Sequence, residues 1–129
     1  MELNITTGIE GRKEIAVTME MTAVAYGSGT VEVFATPAMI ALMEQTAMDS
    51  VAPLLPEEFV TVGTEVSVKH FKATLPGKVV TCFSKLIRSE GKKLVFEVIA
   101  NDESGVIGTG THTRYIVDKQ MFIGNLKDK

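Results

Sequence analysis

The sequence predicts an α+β fold in which one antiparallel sheet of about five strands wraps around a single central helix. Three observations carry this prediction. One stretch, Ala38 to Ala52, is rich in Ala, Met and Leu and poor in β-branched residues, the composition a helix prefers. The chain after it alternates apolar and polar residues with the period of a half-buried strand. Turn residues separate those alternating runs, so the last strands should pair as antiparallel hairpins.

The first element reads as β. From Glu14 to Met21, the apolar residues Ile15, Val17, Met19 and Met21 alternate with Glu14, Ala16, Thr18 and Glu20. Gly27 and Gly29 break the pattern between Tyr26 and Thr30, where a loop is expected. Thr36 and Pro37 then open the helix. Thr36 suits the N-cap, and Pro37 suits the first helical position, because proline's missing amide hydrogen would be unpaired there anyway. The helix should end before Pro53 or Pro56. Met39, Ile40, Leu42, Met43, Met48 and Val51 cannot share one narrow stripe, and a helix apolar nearly all round is normally buried.

Beyond the helix, Val60, Val62, Val66 and Val68 alternate with Thr61, Gly63, Glu65 and Ser67. Val79 to Arg88 reads as the next strand, and Leu94, Phe96, Val98 and Ala100 mark the inward face of another. Ile107 to Asp118 makes the last, with Ser89-Glu90-Gly91 and Asn101 to Gly105 as turns between strands. The polar tail from Gly124 to Lys129 is expected to fray. No repeat, linker or low-complexity segment interrupts the chain, and 129 residues fit one ordinary domain, so 1–129 is read as one unit. One sheet around one apolar helix is the hot dog architecture. It leaves a sheet edge and part of the helix uncovered, so at least a homodimer is expected, either alone or as a dimer of dimers.

Composition excludes several classes. Apolar residues make up 45% of the chain and charged residues 22%, which argues against disorder. The net charge is −3 and the cations are scattered, so nucleic acid is a poor partner. Cys82 is the single cysteine and no cysteine–histidine spacing resembles a zinc site, so neither a disulfide nor a metal is expected. Met1 to Thr7 carries Glu2 and no apolar run before a small-residue cleavage site. No apolar stretch reaches the ~20 residues of a membrane span. The expected setting is cytoplasmic, with no membrane partner.

Three residues stand out chemically. Glu44 lies mid-helix with Ile40, Ala41, Ala47 and Met48 at three- and four-residue spacing. If it is buried, desolvation favours its neutral form and suits acid–base work; alternatively, it lies at the helix edge and reaches solvent or a subunit interface. Position alone leaves both open. His70 ends the run Val62, Val66 and Val68, in phase with it, so its ring should face the helix, although an isolated inward histidine is more often a satisfied core residue. Thr36 sits beside backbone amides that lack helical partners and favour developing negative charge, yet a cap alone would explain it. Cys82, in phase with Val80, Ser84 and Leu86, reads as a strand core residue. His112 has no carboxylate or thiolate at ligand spacing, so a metal role with His70 is not expected.

A longer pattern joins these residues. Phe34-Ala35-Thr36, Met43-Glu44, Gly63-Thr64 leading to His70, Ala73-Thr74, Pro76-Gly77, Arg88 to Gly91 and Gly108 to His112 follow one another in a spacing that resembles the fluoroacetyl-CoA thioesterase family of hot dog proteins. The likeness runs from Val33 to about Val117. It implies hydrolysis of an acyl-CoA, with Thr36, Glu44 and His70 at the family's catalytic positions and Gly63 and Arg114 near its substrate site. It also implies no cofactor, coenzyme A being part of the substrate. The segment Ala25 to Glu32 departs from the family. It is short, glycine-bearing and almost free of aromatics, whereas in the family's namesake this region helps select the fluorinated acyl group. A short-chain or small branched acyl-CoA is the expected substrate.

On this reading Glu44 and His70 converge in one water-poor pocket. Glu44 either attacks the carbonyl or activates water, His70 shuttles a proton, and Thr36 binds the glutamate or the tetrahedral centre. No glycine-rich phosphate loop is present, and Lys69, Lys72, Lys78 and Arg88 are the scattered cations available to the phosphates of coenzyme A. Two other readings keep the fold. One is a non-catalytic acyl-CoA binding or regulatory protein; the other is an enoyl-thioester hydratase, which would want a paired inward aspartate and histidine.

Overall fold

A computed structural model describes residue 3 and residues 5–128. The reading of Met1 to Thr7 falls partly on Met1, Glu2 and Asn4, which lie outside the described residues, as does Lys129. The elements are β1 (Glu10–Ala16), α1 (Ala23–Tyr26), α2 (Thr36–Val51), β2 (Phe59–His70), β3 (Val79–Glu90), β4 (Lys93–Asp102), β5 (Gly105–Asp118) and α3 (Lys119–Lys127). The five strands form one antiparallel sheet in the order β1-β3-β4-β5-β2, and α2 lies across its inner face, which is the hot dog architecture.

Strand alternation builds the core. Val80, Cys82 and Leu86 of β3, Leu94, Phe96, Val98 and Ala100 of β4, and Ile107 of β5 are fully buried on the face that meets α2. From α2 come Ala38, Met39, Leu42, Met43, Ala47 and Val51, each with at most 6% of its surface exposed. The helix is not buried all round. Met48 is partly exposed, and Ile40 and Ala41 are half-buried, because one sheet can cover only one side of a helix. Helix α2 stops at Val51 as expected, and Pro53 falls in a single 3₁₀ turn, Ala52–Leu54. Gly91 takes φ +62° in the turn between β3 and β4, which a side chain would strain.

Four local expectations need correction. The first strand runs from Glu10 to Ala16 and not to Met21; after Val17 bonds to Lys78 and Gly77, the chain leaves the sheet through a 3₁₀ turn, Met19–Met21, and Met19 is exposed. Thr36 is the first helical residue and Ala35 is the N-cap, with no side-chain cap bond. The tail does not fray from Gly124, since α3 runs to Lys127, started by Asp118, whose carboxylate accepts from the Met121 amide at 3.1 Å. The fourth concerns β2, where the pairing with β5 slips between Gly63 and Glu65. Thr64 is the extra residue of a β-bulge, so the alternation changes face there. Thr61 and Gly63 point inward before it, opposite Ile116 and Arg114, and Val66, Val68 and His70 point inward after it, opposite His112, Gly110 and Gly108. Val62 lies on the outer face, opposite the partly exposed Tyr115.

Candidate active site

Helix α2 and strand β2 carry two polar clusters at separate places. The first lies where α2 begins and β2 ends. Thr36 Oγ1 is 2.8 Å from His70 Nδ1, so the threonine hydroxyl is committed to the imidazole and not to capping the helix. Phe34 meets the ring edge-on, with centroids 6.2 Å apart. His70 Nε2 is buried and has no hydrogen-bond partner among the described residues. Burial lowers the His70 pKa below the ordinary histidine range, and the Lys72 backbone pulls more weakly the other way. A cavity of about 340 Å³ opens here, lined by Phe34, Thr36, His70, Phe71 and Lys72 among others. The first intrahelical bond runs from the Met39 amide to the Ala35 carbonyl, so the Thr36 amide, at the cavity wall, has no helical partner.

The second cluster surrounds Glu44, which is half-buried with 40% of its side chain exposed. Its Oε2 lies 3.9 Å from both His112 Nε2 and Arg114 Nη1. Arg114 is buried and held from three sides. Its Nε donates to Thr61 Oγ1 at 2.8 Å, its Nη2 to the Thr61 carbonyl at 2.9 Å, and its Nη1 faces His112 Nε2 at 3.1 Å. Burial pulls the guanidinium pKa down while the Glu44 charge pushes it up, and arginine stays charged throughout the working range. Gly63 completes the cluster. A Cβ there would stand 2.7 Å from Glu44 Oε2 and 3.1 Å from the His112 ring, so any side chain at this position would push the carboxylate from its present place.

One chain therefore brings Thr36 to His70, and Glu44 to Gly63 and Arg114, but it does not bring Glu44 to His70. Eight helical residues separate Thr36 from Glu44, roughly 12 Å along the axis. Seven strand residues separate Gly63 from His70, roughly 20 Å. In place of the single convergent pocket expected from the sequence, one chain holds two separate clusters. His112 and Thr61 were not anticipated as members of the second. The available signal was the period of two, which sets His112 and Arg114 on one face of a strand whose inward positions are otherwise glycine or apolar.

Cys82 is buried in the core as expected, and burial raises its thiol pKa, which keeps it unreactive. Lys69, Lys72, Lys78 and Arg88 are all exposed, with Lys72 at the first cavity and Arg88 paired with Glu90. Among the described residues, no three His, Cys, Asp or Glu side chains gather as a metal would need, and no helix is long and apolar enough to cross a membrane.

His112 resembles His70 in that burial is the main cause lowering its pKa; the Arg114 charge adds to this, while the Glu65 carbonyl and Glu44 oppose it. Both histidines of the chain thus hold protons less readily folded than unfolded. The unfolded chain then binds more protons below the ordinary histidine value of 6.5, so stability is complete above that pH and falls as the pH drops toward the folded-state values. Melting temperature followed by circular dichroism from about pH 7.5 to 5 should fall across this window. A flat profile would contradict burial of neutral imidazoles.

Residues 17–120 match the family model described as fluoroacetyl-CoA-specific thioesterase. The fluoroacetyl-CoA thioesterase of Streptantibioticus cattleyicolor is 38% identical over 98 residues, covering 76% of this chain and 70% of that protein. Among solved structures, the fluoroacetyl-CoA thioesterase FlK superposes with TM-score 0.90 at 31% identity, over 98% of each chain. A FlK variant in complex with fluoroacetate and CoA matches with TM-score 0.86 at 32% identity, over 92% of this chain and 99% of that one. A hot-dog-like protein from Thermanaerovibrio acidaminovorans gives TM-score 0.91 at 27% identity, over 99% and 96% of the two chains.

Proposed function

We propose, from the premise that this chain belongs to the fluoroacetyl-CoA-specific thioesterase family and hydrolyses acyl-CoA thioesters, that its substrate carries a short or small branched acyl group and that two copies build each active site. The observation that carries the second part is the separation of Thr36–His70 from Glu44–Gly63–Arg114 within one chain. Strand β2 is an edge of the sheet, with backbone groups free to pair. Antiparallel pairing of two β2 strands about a twofold axis between Val66 and Ser67 sets His70 opposite the partner subunit's Gly63. That glycine lies against the same subunit's Glu44. Both inner faces then lie on one side of a continuous sheet, so each glutamate meets the other chain's threonine and histidine. The whole chain, 1–129, acts as one domain, and the cytoplasm is the setting that its single cysteine fits.

The chemistry follows from the two half-sites. The thioester carbonyl lies near the unpaired amides at the start of α2, which face developing negative charge. Glu44 either forms the new bond to the carbonyl carbon, giving a mixed anhydride that water then opens, or takes a proton from the attacking water. In both routes the carbon–sulfur bond breaks, the coenzyme A thiolate receives a proton, and the acyl group leaves as the free acid. His70, with Thr36 fixing its Nδ1 side, moves that proton. The acyl group stays small because the relative of known activity acts on a two-carbon acyl chain, and the low bulk of the segment before α2 leaves room for a branch.

A complementation experiment tests the shared site, with thiol release from a panel of short acyl-CoAs as the readout. Glu44→Gln and His70→Ala subunits are each inactive alone. Their purified heterodimer carries one site lacking both groups and one site with both, and should recover about half the wild-type turnover. If Glu44 and His70 act from one chain, the heterodimer has no intact site and stays inactive.

A further inference from the structure

A buried guanidinium is costly unless its donors are matched, and the group that matches Arg114 Nη1 is a histidine. The state of that histidine is fixed by its other nitrogen. His112 Nδ1 lies 2.8 Å from the Glu65 carbonyl oxygen, which can only accept, so Nδ1 carries the proton. In the neutral ring, Nε2 then holds a lone pair and accepts from Arg114 Nη1 at 3.1 Å. An imidazolium would set N–H against N–H and cation against cation. The groups facing the ring are Arg114 from β5 itself, Glu44 from α2 and the Glu65 carbonyl from β2, while Phe96 of β4 lies opposite as an apolar wall.

This arrangement leaves Arg114 and Glu44 3.9 Å apart, beyond hydrogen-bond reach. An arginine beside a carboxylate ordinarily closes into a short, often bidentate pair. Here Thr61 and His112 hold the guanidinium back, so the carboxylate keeps its lone pairs for something else. We infer that His112 is a positioning residue of the reaction: locked as the neutral Nδ1–H tautomer, it restrains Arg114 so that the cation supports Glu44 without capturing it. The inference rests on Glu44 being the reacting carboxylate.

Two measurements test it. Long-range proton–nitrogen spectra of the unaltered protein at neutral pH should show the His112 ring neutral and protonated at Nδ1. An Nε2–H tautomer or an imidazolium overturns the inference. In kinetics on a short acyl-CoA, H112L should lower kcat roughly ten- to hundredfold with KM little changed, because a misplaced reacting group costs that much. H112Q, whose amide oxygen can accept from Arg114, should recover most of the loss. Equal loss in both variants, or no loss in H112L, overturns it. Should H112L not fold, the tautomer decides alone. Turnover of Glu44→Gln reports only on the underlying role of Glu44, so the two failures are distinguishable.

Discussion

Glu44→Gln is expected to remove nearly all thioester hydrolysis while leaving the protein folded. The substitution keeps the shape of the side chain on α2 and its place beside Gly63 and Arg114, but takes away the charge and the basic oxygen. The size of the loss also separates the two routes open to this carboxylate. Removing a general base costs about 10²- to 10⁴-fold. Removing a nucleophile that forms the covalent intermediate can cost about 10⁶-fold. Thiol release at saturating acyl-CoA measures the drop, and circular dichroism confirms the fold. Turnover in ¹⁸O-water gives an independent reading, since an anhydride opened at the enzyme's carbonyl leaves heavy oxygen in the Glu44 peptide. Unchanged turnover in Glu44→Gln would remove this residue from the reaction.

His70→Ala is the second large effect, with kcat expected to fall about 10²- to 10⁴-fold, the contribution usual for a positioned proton-transfer group. The ring is held by the Thr36 hydroxyl on Nδ1 and by Phe34 edge-on, so its orientation is set before substrate arrives. Its lowered pKa keeps it neutral at physiological pH, which leaves one ring nitrogen free to accept a proton. KM should change little, because the ring acts on the reacting atoms and not on coenzyme A. A variant that lost binding but kept kcat would recast His70 as a wall of the cavity.

The fold was largely legible in the sequence because its core obeys two simple periods. The inward residues Leu94, Phe96, Val98 and Ala100, the helix from Thr36 to Val51, and the turns around Gly91 and Gly105 all follow from local rules. The misplacements occurred where a local rule was overridden from afar. Met19 and Met21 continue the alternation of β1, but the sheet has no partner strand for them, so the chain turns away. Thr36 has the chemistry of a cap, yet a histidine from a distant strand claims its hydroxyl. The candidate residues of the site were named from spacing and resemblance, whereas their division into two clusters depends on how far α2 and β2 carry them apart. His112 went unassigned because its partners, the Glu65 carbonyl and Arg114 Nη1, become neighbours only once β5 pairs with β2.

The extra residue Thr64 bears on assembly as well as on local geometry. Gly63 and His70 differ by an odd number of positions, so an uninterrupted strand would aim them at opposite sides of the sheet. Two such strands laid head to tail could never show the glycine of one and the imidazole of the other to the same substrate. The insertion at Thr64 restores even parity between them. Straightening the bulge while keeping every residue of the strand would turn the imidazole to the far side of the sheet and sever the conversation between subunits.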